Sequence, residues 1–443
     1  MTSRAIDQIR QRLGAVVLQL DALLTWRRVH QYPFLTLACG YGIGLVAIAR
    51  GYAPFTVYGR PFATDLAARL TAGRIVVFGD PGRLYDFAYQ YQVQQQLIGE
   101  GHPEFFQVFL PPPFDAYLYA PFASLPYVAS ATILTVLTIL MVIASFRLLW
   151  PLVPGLHRYG FWFVLAIVFS SWPLIDLIVG GQDSAIGLFV YVVALRLLLA
   201  RRDGLAGATF ALGLYKPQMF LLVPVLLVGQ KRWRALATSS LTGLGLAAFS
   251  VVAVGPVAAW TFVKFLLSGT SGSTTVGDFG WKMMSGGALV TALLPAPLAF
   301  LVVPATIAVV VAVGILFVRA ALRPAVTNRE FQLLYALCII AGGIVNPHFF
   351  TYDCTVLVPA FLIAFEDAPG RPIVRVSIAA AYILTWLVAA LHLLVVQAPW
   401  PVSLIAAPWV VVPLVSLTVF VTNRLQERHG VPTGGRVVVD AVR

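Results

Sequence analysis

Charged side chains are scarce in this chain: Asp, Glu, Lys and Arg make up 11% of its 443 residues, against 59% hydrophobic. Soluble domains carry about a quarter of their residues as charges, so a string of soluble domains is excluded and most of the chain must lie in lipid. Cysteine is scarcer still. Cys39, Cys338 and Cys354 have no metal-like spacing, and the first two sit inside apolar runs, where cysteine behaves as a small hydrophobe; no structural disulfide is expected. No polar stretch between the hydrophobic runs is long enough to fold alone, which leaves one membrane domain. No cleavable signal is expected either: residues 5–25 mix Arg, Asp and Gln with aliphatics at helical spacing, the pattern of an interfacial helix. Nucleophile-elbow, Walker and zinc-protease patterns do not occur.

What is present is hydrophobicity in long pieces, with a mean hydropathy of +0.86. A span needs about 20 apolar residues, fewer where a segment is tucked inside protein. Twelve runs qualify, near 33–50, 125–149, 159–179, 184–200, 204–214, 217–229, 235–255, 298–318, 331–345, 354–365, 375–396 and 403–422. The net charge of +12 is scattered in twos and threes between these runs, which is a topological pattern and not a nucleic-acid footprint. With the N-terminus inside, most Lys and Arg fall on the cytoplasmic side, among them Arg201 with Arg202, Lys231 with Arg232 and Arg234, Arg319 with Arg323, and Arg371 with Arg375. The expectation is an all-α, polytopic protein with about twelve spans, both termini in the cytoplasm, integral to the cell membrane. Residues 1–32 form a cytoplasmic or interfacial segment, 33–422 the membrane domain, and 423–443 a disordered tail. Two outer loops are large, 51–124 and 256–297, and the Gly-, Ser- and Thr-rich stretch at 268–288 predicts a mobile lid or connector.

Under this topology the polar residues that break or edge the apolar runs gather at outer ends: Asp65, Pro111 to Pro113, Gln182 with Asp183, Lys216, and Asn346, Pro347, His348, Tyr352 and Asp353. Lys216 lies between two runs too short to cross. A lysine deep in a bilayer costs about 2.5 to 3.5 kcal/mol on insertion scales, and a lipid-linked phosphate would offset that cost; a snorkelling lysine is the plainer alternative. Asp65 is one of six acids in the first outer loop, with Asp80, Asp86, Glu100, Glu104 and Asp115, any of which could serve as a base or be a solvated loop acid. His348 could donate to a phosphate or sugar oxygen, with Asp353 orienting it or binding hydroxyls. Asp183 suits a helix N-cap, while Gln182 is a sugar-hydroxyl ligand in reach. Dense aromatics at 85–122 read first as an interfacial belt.

In this order the features resemble glycosyltransferase family 87, within the GT-C class of membrane enzymes that use polyprenyl-phosphate sugars. The carrying residues are Asp65 followed by Ala72 and Gly73, then Leu84, Tyr85 and Asp86, the segment FLPPPFDAYLYAPFASLP, Gly-Gln at 181–182, GLAGATFALGLYKPQ, KRWRA, and NPHFFTYD. The resemblance runs from about 60 to 365. It implies a GT-C-like fold, a donor such as polyprenyl-phosphate mannose, and inverting transfer to a lipid or glycan acceptor on the periplasmic or exterior face, with Asp65 as the base. Lys216, His348 and Gln182 would then contact the donor, with Asp353, Tyr85 and Asp86 as further substrate-binding candidates. No paired acidic motif accompanies Asp65, so neither a metal nor a separate cofactor is expected; the partners are the donor, the acceptor and membrane lipids, with no nucleic acid. A secondary transporter or lipid flippase, using Lys216, His348 and Asp353 as an ion-coupled path, is the competing reading, and a structural subunit of an envelope complex a third.

Overall fold

The computed structural model describes residues 3–99, 105–268, 280–367, 370–395 and 399–428. Among them every regular element is a helix, with isolated backbone bridges such as that between Met283 and Phe350. In chain order the α-helices are α1 (Ser3–Leu23), α2 (Trp26–Ala49), α3 (Leu66–Phe78), α4 (Phe87–Ile98), α5 (Pro113–Leu118), α6 (Tyr127–Leu149), α7 (Phe161–Phe169), α8 (Trp172–Gly180) and α9 (Ser184–Leu199). They continue with α10 (Asp203–Leu212), α11 (Val223–Gly229), α12 (Trp233–Ser268, broken at Gly255, φ 81°), α13 (Gly286–Leu293), α14 (Val302–Ala321), α15 (Asn328–Val345), α16 (Val358–Glu366), α17 (Pro372–Val395) and α18 (Val411–Arg428).

Among the described residues, five stretches are long and apolar enough to cross a bilayer: Trp26–Ala49, Tyr127–Leu152, Trp233–Leu267, Ala296–Ala321 and Pro372–His392. The pair α7 and α8, bent by 69°, makes a sixth if it counts as one span. The twelve expected runs do not map one to one onto such helices. The physical reason is that helices inside a bundle are apolar for the same reason as helices in lipid. Residues 331–345, expected to span, belong to α15, whose side chains are buried almost throughout, from Glu330 to Ile344. The runs at 204–214 and 217–229 are the short α10 and α11 with two 3₁₀ turns between them.

The segment expected as the first outer loop is itself folded. The segment 84–98 ends in a row of glutamines that clamps the extended chain at 105–109 by side-chain amides. Gln90 accepts from the Phe109 amide at 2.8 Å and donates to the Leu84 carbonyl at 2.7 Å. Gln94 both accepts from and donates to the Gln107 backbone, each at 2.9 Å, and Gln95 donates to the Phe105 carbonyl at 2.9 Å. Four- and five-residue spacing puts these amides along one side of α4, so a helix supplies the ladder that a strand would otherwise give. This fixes where the proline run begins, and Tyr85 donates to the Pro111 carbonyl at 2.6 Å.

The segment expected as the second outer loop is less of a loop than its composition suggests. α12 runs to Ser268, and Gly280–Lys282 and α13 are helical; the lid expected at 268–288 lies, for 269–279, outside the described residues. At the other end, α18 reaches Arg428, so the segment assigned to a disordered tail starts as ion-paired helix: Arg424 and Arg428 both meet Asp367. Residues 429–443, and the loop acids Glu100 and Glu104, fall outside the described residues.

Candidate functional site

The chain enters the site through residues 61–65. The Asp65 amide donates to the Gly180 carbonyl at 3.0 Å, and the Tyr127 hydroxyl donates to the carbonyls of Phe62 and Ala63 at 2.8 and 3.1 Å. This close approach requires glycine at 181: its φ is 70°, and a Cβ there would sit 2.7 Å from that of Ala63. Asp65 occupies the N-cap position of α3 without making a side-chain cap, and it is partly buried.

One turn on, Arg69 projects from the same side of α3 as Asp65. Its guanidinium pairs with Asp183, and its Nε lies 3.9 Å from Asp115, an acid with no exposure at all. Asp183 precedes α9 as its N-cap residue but makes no side-chain cap there. The capping role expected for it is displaced by ion pairing, since its other oxygen stands 2.8 Å from the Lys216 ammonium. Lys216 also reaches Asp353 at 3.1 Å and Ser184 at 3.4 Å, and lies 4.8 Å from the centre of the Tyr352 ring.

Lys216 holds this place because Pro217 denies it helical geometry: at φ −137° and ψ 73° it separates two 3₁₀ turns and points off both. Asp353 is fixed in turn by the Phe350 amide at 3.1 Å and by the Ser184 hydroxyl. A second pair completes the cluster. Lys282 meets Asp176 of α8 at 2.8 Å, and Asp176 also accepts from the Thr351 hydroxyl. The strip carrying Lys282 is pinned against 349–350 by a 2.6 Å bond from the Met284 amide to the Phe349 carbonyl, and against α17 by the Trp281 ring stacked 4.1 Å from His392.

The outcome is one cluster from six parts of the chain, with three cations and the carboxylates of Asp115, Asp176, Asp183 and Asp353. Asp65 lies within electrostatic reach of it: burial raises its pKa to about 6, against the pull of Lys282, Arg69 and Lys216 and with the push of Asp176. Burial lifts Asp115 further, to about 7, with Arg69 opposing and Asp183 assisting. Burial also pushes Asp183 up, but Arg69 and Lys216 outweigh it and leave that carboxylate below its ordinary value. The site thus sets one carboxylate held below its ordinary value beside two that burial raises.

Of the residues singled out from the sequence, Asp65, Lys216, Asp183 and Asp353 come together here. Gln182 is buried in the turn beside Asp183. His348 is half-buried next to this region, its amide donating to Asn346 at 2.8 Å; its ring makes no hydrogen bond or ion pair among the described residues, and burial lowers its pKa. Tyr85 is buried against Phe109 and Phe262 and holds the proline run. Asp86 stands apart: it caps α4 through the Tyr89 amide and pairs with exposed Arg83 at 2.7 Å. Sequence reasoning missed Arg69, Asp176 and Lys282. The signals were there: Arg69 follows Asp65 by one helical turn, and Asp176 is a lone acid in an apolar run. No group of three or more His, Cys, Asp and Glu among the described residues is arranged to hold a metal ion.

The family model described as Glycosyltransferase family 87 matches residues 109–343, just over half of the chain. That stretch contains Asp115, Asp176, Asp183, Lys216 and Lys282, and stops short of Asp65 and Arg69 on one side and Asp353 on the other. Neither the curated proteins nor the solved structures contain a match.

Proposed function

The chain belongs to glycosyltransferase family 87 and is a membrane glycosyltransferase, and from that premise we propose that it moves a hexose, mannose first among them, from a polyprenyl-phosphate carrier to a lipid or glycan acceptor on the non-cytoplasmic face. The observation that carries this reading is the convergence of a partly buried, raised-pKa Asp65 with three cations at one site. A base near pKa 6 is ionised at pH 7 yet still basic enough to take a hydroxyl proton. Cations that are only partly exposed suit an anionic leaving group held at membrane depth: the Lys216 and Lys282 side chains are 14% and 20% exposed.

In the proposed step the acceptor oxygen attacks the anomeric carbon as Asp65 takes its proton. The carbon–oxygen bond to the phosphate breaks with its electron pair, and polyprenyl phosphate leaves as an anion stabilised by Lys216 and Lys282. A single displacement inverts the anomeric centre, and one base is enough for it. His348, Gln182 and Tyr352 border the site and would contact the sugar or phosphate. Asp115 and Arg69 are too enclosed for contact and act through Asp183, holding the carboxylate that holds Lys216.

The test is a donor screen. Full-length protein purified in detergent is incubated separately with labelled polyprenyl-phosphate mannose, arabinose and glucose, plus a membrane lipid extract as acceptor. Consumption of the mannose carrier with release of polyprenyl phosphate is the expected result. Uptake or flipping of the carriers in liposomes with no chemistry on any of them would favour the transporter reading.

A further inference from the structure

Where α14 ends against α15 and α18, a cavity of about 320 Å³ is lined by Leu316, Arg319, Leu322, Arg323, Leu334 and Leu425, together with Thr422 and Gln426. Its lining is mostly apolar, and among the described residues its charged groups are two guanidiniums. Among the described residues neither Arg319 nor Arg323 makes an ion pair, although acids lie in the same end of the bundle. Those acids are already engaged. Asp367 is shared by Arg329, Arg424 and Arg428, Glu427 by Arg371 and Arg424, and Glu330 accepts from the Val326 and Thr327 amides.

The turn bearing Arg323 is held rigidly. The Gln230 amide donates to the carbonyls of Ala321 and Arg323 at 2.7 and 2.8 Å and accepts from the Ala325 amide at 3.0 Å. Carbonyls at a helix C-terminus repel anions, and Gln230 covers two of them, which leaves the cavity positive. From its mouth a row of exposed side chains climbs α14 along one face: Leu322, Val318, Ile315, Val311, Ile307 and Val303. That row lies on the exposed side of one of the five candidate spans.

We propose that this cavity is a binding site for an anionic glycerophospholipid, its phosphate between Arg319 and Arg323 and one acyl chain laid along the exposed face of α14. Paired guanidiniums match a phosphate diester's oxygens, and their depth, at the end of an apolar span, is that of a headgroup. An apolar wall continuous with an apolar stripe suits a lipid and gives nothing to a free ion. The occupant would brace α14 against α15 and α18 without touching the reacting groups.

Native mass spectrometry of the delipidated full-length protein with phosphatidylglycerol or phosphatidylcholine tests this. The wild type should retain phosphatidylglycerol over phosphatidylcholine. Arg319→Gln/Arg323→Gln should weaken phosphatidylglycerol binding about thirtyfold, from roughly 1 kcal/mol per basic residue near an anionic surface. Arg319→Lys/Arg323→Lys, which keeps both charges, should retain most of it and serves as the folding control. Leu322→Glu, on a side chain 64% exposed, should also abolish the preference by placing an anion at the mouth. Equal retention of the two lipids, or undiminished phosphatidylglycerol binding by the double Gln variant, overturns the proposal. Displacement of the lipid by millimolar inorganic phosphate would assign the site to free phosphate and overturn it as well.

Discussion

Lys216 is the residue on which the most depends. It carries two carboxylates, Asp183 and Asp353, whose side chains are 0% and 1% exposed. Removing one partner of a buried ion pair leaves uncompensated charge and costs about 3 to 5 kcal/mol. Lys216→Met should therefore lower stability by about 3 kcal/mol, and adding Asp353→Asn should restore part of the loss because one orphaned charge is gone. Thermal unfolding in detergent checks both; a Lys216→Met protein as stable as the wild type would show that the pairing is not there. Asp115 gives a second test through pH. Its folded pKa, about 7, lies above the unfolded carboxylate value. Its contribution to stability is therefore full below about pH 4 and is lost as pH rises through 7. Asn carries no such charge, so Asp115→Asn should gain stability over the wild type at pH 8 and much less at pH 4. Equal shifts at the two pH values would remove Asp115 from the set of buried, raised acids.

At the scale of elements, the site is a product of breaks in helices. Gly181 lets α8 turn into α9 against the chain at Ala63, and Pro217 isolates Lys216 between two turns. Gly181→Ala would force a Cβ into Ala63 and strain a positive φ. The expected outcome is loss of glycosyl transfer by tenfold or more, of the order that misplacement alone can cost, with Asp65 itself intact. Wild-type turnover by this variant would mean that Asp65 is not held through that contact. The glutamine row on α4 makes a parallel claim. Gln94→Ala strips partners from both the amide and the carbonyl of Gln107, which should destabilise by about 1 to 3 kcal/mol and quicken amide hydrogen exchange at 105–109 first.

These breaks explain what could be read in advance. Lys216, Asp183 and Asp353 interrupt apolar runs and so announced themselves. Arg69 did not, because an arginine in a loop helix looks like any solvated basic residue until Asp183 and Asp115 are seen around it. Asp176 was absorbed into an apolar run, and Lys282 into a Gly- and Ser-rich stretch that promised only mobility. The helical, membrane-embedded class was legible from hydropathy. The number of spans was not, because α15 and the pieces around Lys216 are apolar for packing against protein.

For the whole molecule, long apolar helices pack with short, broken ones around a buried core, and the folded segment 51–124 brings Asp65 within electrostatic reach of Lys282, Arg69 and Lys216. Membership of the glycosyltransferase family makes the molecule an enzyme; the assignment of its base rests on Asp65. The most direct measurement is turnover of purified full-length protein with labelled polyprenyl-phosphate mannose, wild type beside Asp65→Asn, from pH 5 to 8. The wild type should lose rate as pH falls below about 6, the value to which burial raises Asp65. The variant should retain its fold and fall by about 10²- to 10⁴-fold, the usual share of a general base. An Asp65→Asn enzyme that turns over at the wild-type rate would contradict the assignment outright.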